Sequence, residues 1–307
     1  MRHTPLVDGG FIVRHCGGDI RLKLENLQVT GSFKPRGAFI KMSSLSADER
    51  KQGLVAMSAG NHAQGVAYHA AKMGMPATIF MPSTTPELKI KRTQQYGVKI
   101  ILEGNSLYEA EQVAMPFAAK HGLTVIHPYD DPMIVTGQAS VFIEMINDWP
   151  DLEQIVVPVG GGGLASGIAI AAKAYNPNIK LIGVQSQYCQ HLTKLIFPNK
   201  ANDSGTDYVS SSETVAEGIT VKNIGKVTSY VLGQYLDDML LVKEEQIRQA
   251  VYRCATEAKL VVEGAGAAGV AAVLANPKMF KDKKTAVVIC GGNIDPMILA
   301  EILKQGG

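Results

Sequence analysis

Apolar positions along this chain come in short unbroken blocks. Residues 54–57, 77–81, 98–102, 123–126, 155–159, 181–185, 239–242 and 286–290 are apolar at nearly every position. A strand covered on one face alternates apolar and polar side chains. Unbroken runs of this length predict strands buried on both faces, as in parallel sheets. Between them lie longer stretches with helical spacing, at 62–73, 86–96, 106–121, 133–147, 164–175 and 244–258, the first stopped by Gly74. The rhythm predicts an α/β fold with helix-flanked, mostly parallel sheets. No low-complexity linker divides the chain, and there is no internal repeat beyond the βα unit. Residues 196–212, rich in Asn, Ser, Asp and Gly, read as a surface loop.

Composition narrows this picture. With 307 residues, 46% hydrophobic and 19% charged, the chain suits two globular domains or one large one. A net charge of +2 provides no polybasic surface, which argues against a nucleic-acid partner. Cys16, Cys189, Cys254 and Cys290 are scattered and form no CxxC pair. That pattern predicts reduced thiols in the cytoplasm rather than disulfides or a zinc site. No apolar run reaches membrane-spanning length, and the start of the chain lacks a signal-peptide pattern, so no membrane partner is expected.

The apolar run at 155–159 feeds into Gly160, Gly161, Gly162 and Gly163, and a helix is expected from Leu164. Glycines let backbone N–H groups converge without Cβ interference, and a helix start adds partial positive charge. Such a turn stabilises an anion by roughly 0.3–2 kcal/mol, and phosphate is the natural occupant. The spacing Gly160-x-Gly162-x-x-Ala165 also fits a dinucleotide fingerprint. That motif wants an acidic residue at the end of the next strand, where this chain has Gln185. A nicotinamide oxidoreductase is thereby weakened. The plainest alternative is a tight turn with no ligand, although four consecutive glycines cost much backbone entropy.

Lys34 follows Gly31-Ser32-Phe33 and precedes Pro35-Arg36-Gly37. Read alone it is a solvated loop cation. Beside an anion-binding turn it gains a second reading, because a lysine amine can join a carbonyl cofactor and burial lowers its pKa for that task.

Five motifs occur together and in order: Lys23-Leu24-Glu25-Asn26 with Gly31-Ser32-Phe33-Lys34-Pro35-Arg36-Gly37-Ala38; Ser58-Ala59-Gly60-Asn61-His62-Ala63-Gln64; Gly160 to Gly163; Glu263-Gly264-Ala265-Gly266; and Cys290-Gly291-Gly292-Asn293-Ile294-Asp295. Over nearly its whole length the chain resembles the fold-type II pyridoxal 5′-phosphate (PLP) enzymes, and within them the threonine dehydratase and serine racemase group. The resemblance implies two domains, a large one of residues 1–52 plus 131–307 and a small one of 53–130, with the active site in the cleft. It implies that Lys34 is the Schiff-base lysine, that Phe33 packs near the pyridine ring, and that Asn61 bonds the ring 3′-oxygen. Gly160, Gly161, Gly162, Gly163 and Leu164 would hold the phosphate. Ser58, Ala59, Gly60, Asn61 and His62 would hold the substrate carboxylate. Gly218 and Glu263 would be further cofactor-side positions, and Cys290 would face the pyridine nitrogen. His62 could instead be only a helix-start residue, and His69 ordinary packing.

Departures from the group's pattern refine the expected reaction. Serine racemases of this group carry a serine before Gly-Asn-His as a second acid/base; here it is Ala59, and a methyl group cannot transfer a proton. Residues 183–191 offer no carboxylate where animal-type racemases resemble one another in a magnesium site, so no metal is expected. Cys290 is neutral, which makes a weaker electron sink and favours prompt loss of a β-hydroxyl. The chain ends at Gly307, without the regulatory domain that follows this core in biosynthetic threonine deaminases, and it begins almost at Thr4-Pro5-Leu6. The expectation is a catabolic-type threonine/serine dehydratase, assembled as a homodimer or homotetramer. The alternatives are a serine racemase, a threo-3-hydroxyaspartate ammonia-lyase, a nicotinamide oxidoreductase and a non-catalytic PLP-binding protein.

Overall fold

The apolar blocks become strands in two separate sheets. The computed structural model describes residues 1–201 and 214–306, so most of the expected loop at 196–212 lies outside the described residues. The strands are β1 (Leu6–Asp8), β2 (Asp19–Leu24), β3 (Leu54–Met57), β4 (Ala77–Met81), β5 (Lys99–Leu102), β6 (Thr124–Val125), β7 (Gln154–Pro158), β8 (Lys180–Ser186), β9 (Asp238–Val242) and β10 (Lys284–Ile289). One sheet has the order β1-β2-β10-β7-β8-β9, and the other β5-β4-β3-β6. Every pairing is parallel except β1 with β2.

Burial explains why these runs are continuous. All five residues of β7 are buried, as are five of six in β10, because helices cover both faces. The main core joins these strands to helices such as Gly163–Tyr175 and Gly264–Ala275. The second sheet has its own core, which also draws Ala38, Met42, Leu45 and Ile134 from flanking segments.

Most expected boundaries agree with the structure to within one or two residues. Several features differ, among them helices Ala47–Gln52, Lys226–Tyr235 and Pro296–Gln305, which the pattern did not predict. The expected helix at 133–147 is two pieces, Pro132–Gln138 and Ser140–Asp148. At Ala139 the backbone keeps helical angles, but its N–H is shared between Val135 O and Thr136 O. The short strands β1 and β2 gave no clear apolar signal. Lys34 is not in a loop: it opens helix Lys34–Ser43 with Pro35 behind it. Proline is tolerated there because a first-turn N–H has no intrahelical partner anyway.

A buried ion network anchors that helix. Arg36 pairs with Glu25 at 2.7 Å and Glu144 at 2.7 Å, and Lys23 pairs with Glu144 at 2.6 Å. Thr4 donates to Glu25, and Lys23 donates to Thr4 O. Burial alone would raise Glu144, but the hydrogen bonds and charges of Arg36 and Lys23 hold it at about 2. Removing one partner of such a buried pair leaves an uncompensated charge. The position of Lys34 is therefore tied to Arg36, two residues further on.

Candidate active site

The loops at the carboxyl ends of β3, β7 and β10 converge, where open α/β sheets place their ligands. Lys34 reaches this cleft along a zipper between two loops. Asn293 Nδ2 donates to Thr30 O at 2.7 Å, and Gly292 N to Gly31 O at 2.9 Å. Ser32 bridges Gly291, and Phe33 N donates to Cys290 O at 3.1 Å. Thr30 is held at φ +65°, unusual for a threonine, with Gly31 beside it at +75°. Cross-loop bonds on both sides enforce that turn, which aims the next residues into the cleft.

Lys34 Nζ lies 5.1 Å from the Phe33 ring centroid and donates to Pro128 O at 2.9 Å. Among the described residues no carboxylate pairs with it. The residue is half-buried. Burial therefore lowers its pKa to about 8, opposed in part by Cys290 and Glu263. At pH 7 that leaves roughly one amine in ten neutral, against about one in three thousand at an ordinary lysine value. The tool for covalent and proton-transfer chemistry is present at neutral pH.

After β7 the chain makes the glycine turn. Gly162 has φ +87°, a conformation that side chains disfavour. A Cβ on Gly161 would fall 2.4 Å from the Tyr129 ring, and one on Gly160 2.9 Å from Ile219 Cα. The turn is thus packed closely from outside by Tyr129 and the segment around Gly218. Helix Gly163–Tyr175 then starts with no side-chain cap, leaving its first N–H groups for an anion.

After β3 comes the segment 58–62. Ser58 Oγ accepts the Gly60 N–H at 3.2 Å, and helix Asn61–Met73 begins at Gly60, again without a side-chain cap. A Cβ on Gly60 would meet nothing within 4 Å, so open space lies above this turn. Ala59 packs against the second core. Asn61 Nδ2 donates to Glu263 Oε1 at 2.8 Å, and Asn293 Nδ2 donates to Asn61 Oδ1 at 2.7 Å. The two bonds fix the Asn61 amide. Burial pushes Glu263 up to about 7, against the lowering effect of Asn61. Burial also raises the Cys290 thiol, which is neutral at any ordinary pH.

The His62 side chain is buried and anchored. Its Nε2 meets Ile126 O at 2.7 Å, so that nitrogen carries the proton. Burial, then the charge of Lys34, lowers its pKa to about 3. His69 is buried against Phe39 and Tyr68, in keeping with a packing role.

The structure gathers Phe33, Lys34, Asn61, Gly218, Glu263 and Cys290 around one cleft, with the 58–62 and 160–164 turns at its edges. Sequence reading missed Pro128, Tyr129, Asp130 and Asn293. The first three follow β6, and a loop at a parallel strand's carboxyl end was the available signal. Asn293 stood inside a quoted motif without a role.

Fold and site together define an α/β protein with an activated half-buried lysine beside an unfinished anion cradle. The family model described as pyridoxal-phosphate dependent enzyme matches residues 1–292, and the chain belongs to that family. It is 45% identical over 306 residues to L-threonine ammonia-lyase of Thermotoga maritima, covering 100% of this chain and 75% of that one. The processed form of threonine deaminase isoform 2 from Solanum lycopersicum superposes with TM-score 0.92 at 31% identity, covering 100% of this chain and 88% of the other. Maize serine racemase superposes with TM-score 0.90 at 30% identity, covering 99% and 92%.

The residues fit the family's cofactor. PLP brings an aldehyde and a phosphate, and the site offers an unpaired half-buried lysine and an uncapped helix start.

Proposed function

We propose that this protein is an ammonia-lyase that eliminates the β-hydroxyl of L-threonine, L-serine or both as water, the unsaturated amino acid then taking up water to give the 2-oxo acid and ammonia. The observation that carries this reading is Lys34: a half-buried amine that donates to Pro128 O and, among the described residues, has no carboxylate partner. The ammonia-lyase and deaminase relatives support the choice of reaction.

When bound, PLP supplies an aldehyde for covalent linkage and an electron sink for charge left on the substrate. Lys34 is the residue that would hold the aldehyde and whose amine would take the substrate Cα proton. The start of helix Gly163–Tyr175, with Gly160, Gly161, Gly162, Gly163 and Leu164, holds the phosphate. Asn61, fixed by Glu263 and Asn293, presents its remaining N–H to the ring oxygen. Phe33, Gly218 and Cys290 shape the rest of the ring site. Ser58, Ala59, Gly60, Asn61 and the His62 backbone hold the substrate carboxylate at the start of helix Asn61–Met73. The His62 ring is anchored through Nε2 to Ile126 O, and burial together with the charge of Lys34 makes it a weak base at neutral pH.

The racemase reading competes through the maize neighbour. Racemisation needs a second proton donor, and Ala59 stands where the racemases of this group carry serine. Ser58 Oγ is engaged as an acceptor by Gly60 N. Elimination needs only the Lys34 side.

Residues 53–130 are proposed as the small domain, since β3 to β6 all fall within them. A homodimer or homotetramer in the cytoplasm completes the proposal. All four cysteines are free, and no helix among the described residues is long and apolar enough to cross a membrane.

The test is to supply the PLP-loaded protein with L-threonine and with L-serine, then measure 2-oxo acid and the chirality of remaining substrate. Release of 2-oxo acid and ammonia is expected. Accumulation of the D-enantiomer without 2-oxo acid would move the protein to the racemases.

A further inference from the structure

The segment 126–131 leaves the second sheet after β6 and links the site residues to the elements around them. Ile126 O accepts from His62, and Pro128 O accepts from Lys34 Nζ. The Tyr129 ring covers Gly161, its backbone and Cβ lie against Gly163, and its hydroxyl donates to Asn223 O at 2.7 Å. The Asp130 carboxylate accepts the N–H groups of Lys226, Val227 and Thr228, capping helix Lys226–Tyr235 from outside it. Asp131 caps Pro132–Gln138 and pairs with Lys41 at 2.7 Å.

One side chain pins this turn. His127 Nδ1 accepts the N–H groups of Tyr129 at 3.2 Å and Asp130 at 2.7 Å. Both donors are backbone, so Nδ1 is unprotonated and a neutral ring carries its proton on Nε2. The His127 and Tyr129 rings then meet edge to face, with centroids 4.7 Å apart. The arrangement copies an Asx-turn, in which a side-chain acceptor binds N–H groups two and three residues on.

We infer that His127 is a positioning residue: its Nδ1 holds the 127–130 turn so that Pro128 O receives Lys34 and the Tyr129 ring covers the glycine turn. It acts through Pro128 and Tyr129, not on the substrate. The inference rests on Lys34 as the PLP-linking residue and is independent of which amino acid is consumed.

The acceptor position distinguishes three variants. In His127→Asn, Oδ1 can stand where Nδ1 stood. In His127→Gln the acceptor lies one bond further out, with similar bulk. His127→Ala has no acceptor. The readout is the rate at which apo-protein captures PLP on Lys34, trapped by borohydride reduction, with Tm measured alongside. Losing one or two hydrogen bonds of this kind corresponds to about a tenfold effect. His127→Gln and His127→Ala are expected to slow capture about tenfold, and His127→Asn to stay within about threefold of the unaltered protein. If His127→Ala fails to fold, the Asn and Gln pair decides alone. Equal capture by all proteins would overturn the inference. So would equal loss in Asn and Gln, which would mean that the imidazole itself is needed. No capture on Lys34 by the unaltered protein would be a different failure, that of the PLP-lysine assignment.

Discussion

Three helix starts outside the cleft carry a capping side chain that two helix starts inside it replace with glycine. Ser46, Ser106 and Asp295 each accept backbone N–H groups from the helix they begin. A helix start leaves several N–H groups without partners, and such side chains satisfy one or two. In the cleft, Asn61–Met73 and Gly163–Tyr175 begin at Gly60 and Gly162 with no capping side chain. Other helices, among them Phe11–Cys16, Ser140–Asp148 and the exposed Glu87–Gln94, also lack a capping side chain. A glycine in the cleft removes cap and Cβ together, which leaves donors and room. Two unfinished helix starts beside one unpaired lysine match a ligand set of phosphate, aldehyde and carboxylate.

Removing the lysine breaks the comparison most severely. Lys34→Ala is expected to lower turnover about 10³-fold or more while Tm stays near that of the unaltered protein. Assaying 2-oxo acid release and thermal unfolding in parallel checks both halves. A slower but substantial rate would mean that another group removes the proton.

Next in size comes the phosphate turn. The added methyl of Gly161→Ala would fall 2.4 Å from the Tyr129 ring, which must shift. Overpacking of this kind costs about 1–3 kcal/mol. If that strain falls on the loaded state, PLP affinity weakens roughly ten- to hundredfold. A fluorescence titration of apo-protein with PLP measures it, and unchanged affinity would detach the turn from the cofactor.

The peripheral caps sharpen the contrast from the other side. Ser106→Ala is expected to cost about 1 kcal/mol of stability and to leave kcat/KM untouched. Denaturant unfolding and steady-state kinetics together would show whether a true cap is purely structural.

A pH slope, spread over several units, completes the set. Glu263 has a folded pKa of about 7, above its ordinary 4.5, so between those values the folded chain binds more protons than the unfolded chain. Stability of apo-protein should therefore fall as pH rises through that window, and Glu263→Gln should flatten the fall. Urea midpoints across the window would test it, and identical slopes in both proteins would count against the buried carboxylate.

The sheets and the anion turn were legible from local sequence because their signals are local. β7 is buried throughout and reads as one apolar run, and the glycines follow directly. What escaped notice depends on distant partners. Asn61 and Glu263 are 202 positions apart, and Asn61 and Asn293 232, so no periodicity connects them. Tyr129 looks like any loop aromatic until the fold lays it on Gly161. Lys34 read as a loop cation because Gly, Ser and Pro surround it. The partners that place it are Cys290 O behind it and Pro128 O ahead. Family motifs supplied roles that the residues alone did not, and the hydrogen bonds explain how those residues are held.

The most direct test of the account is to find which amine captures the cofactor, and at what pH. Apo-protein would be mixed with PLP, reduced with borohydride over a range of pH, digested and analysed by mass. A label on Lys34 is expected, forming faster as pH rises through about 8. Label spread over exposed lysines with Lys34 unmodified, or capture by Lys34 only near the ordinary lysine value, would contradict it.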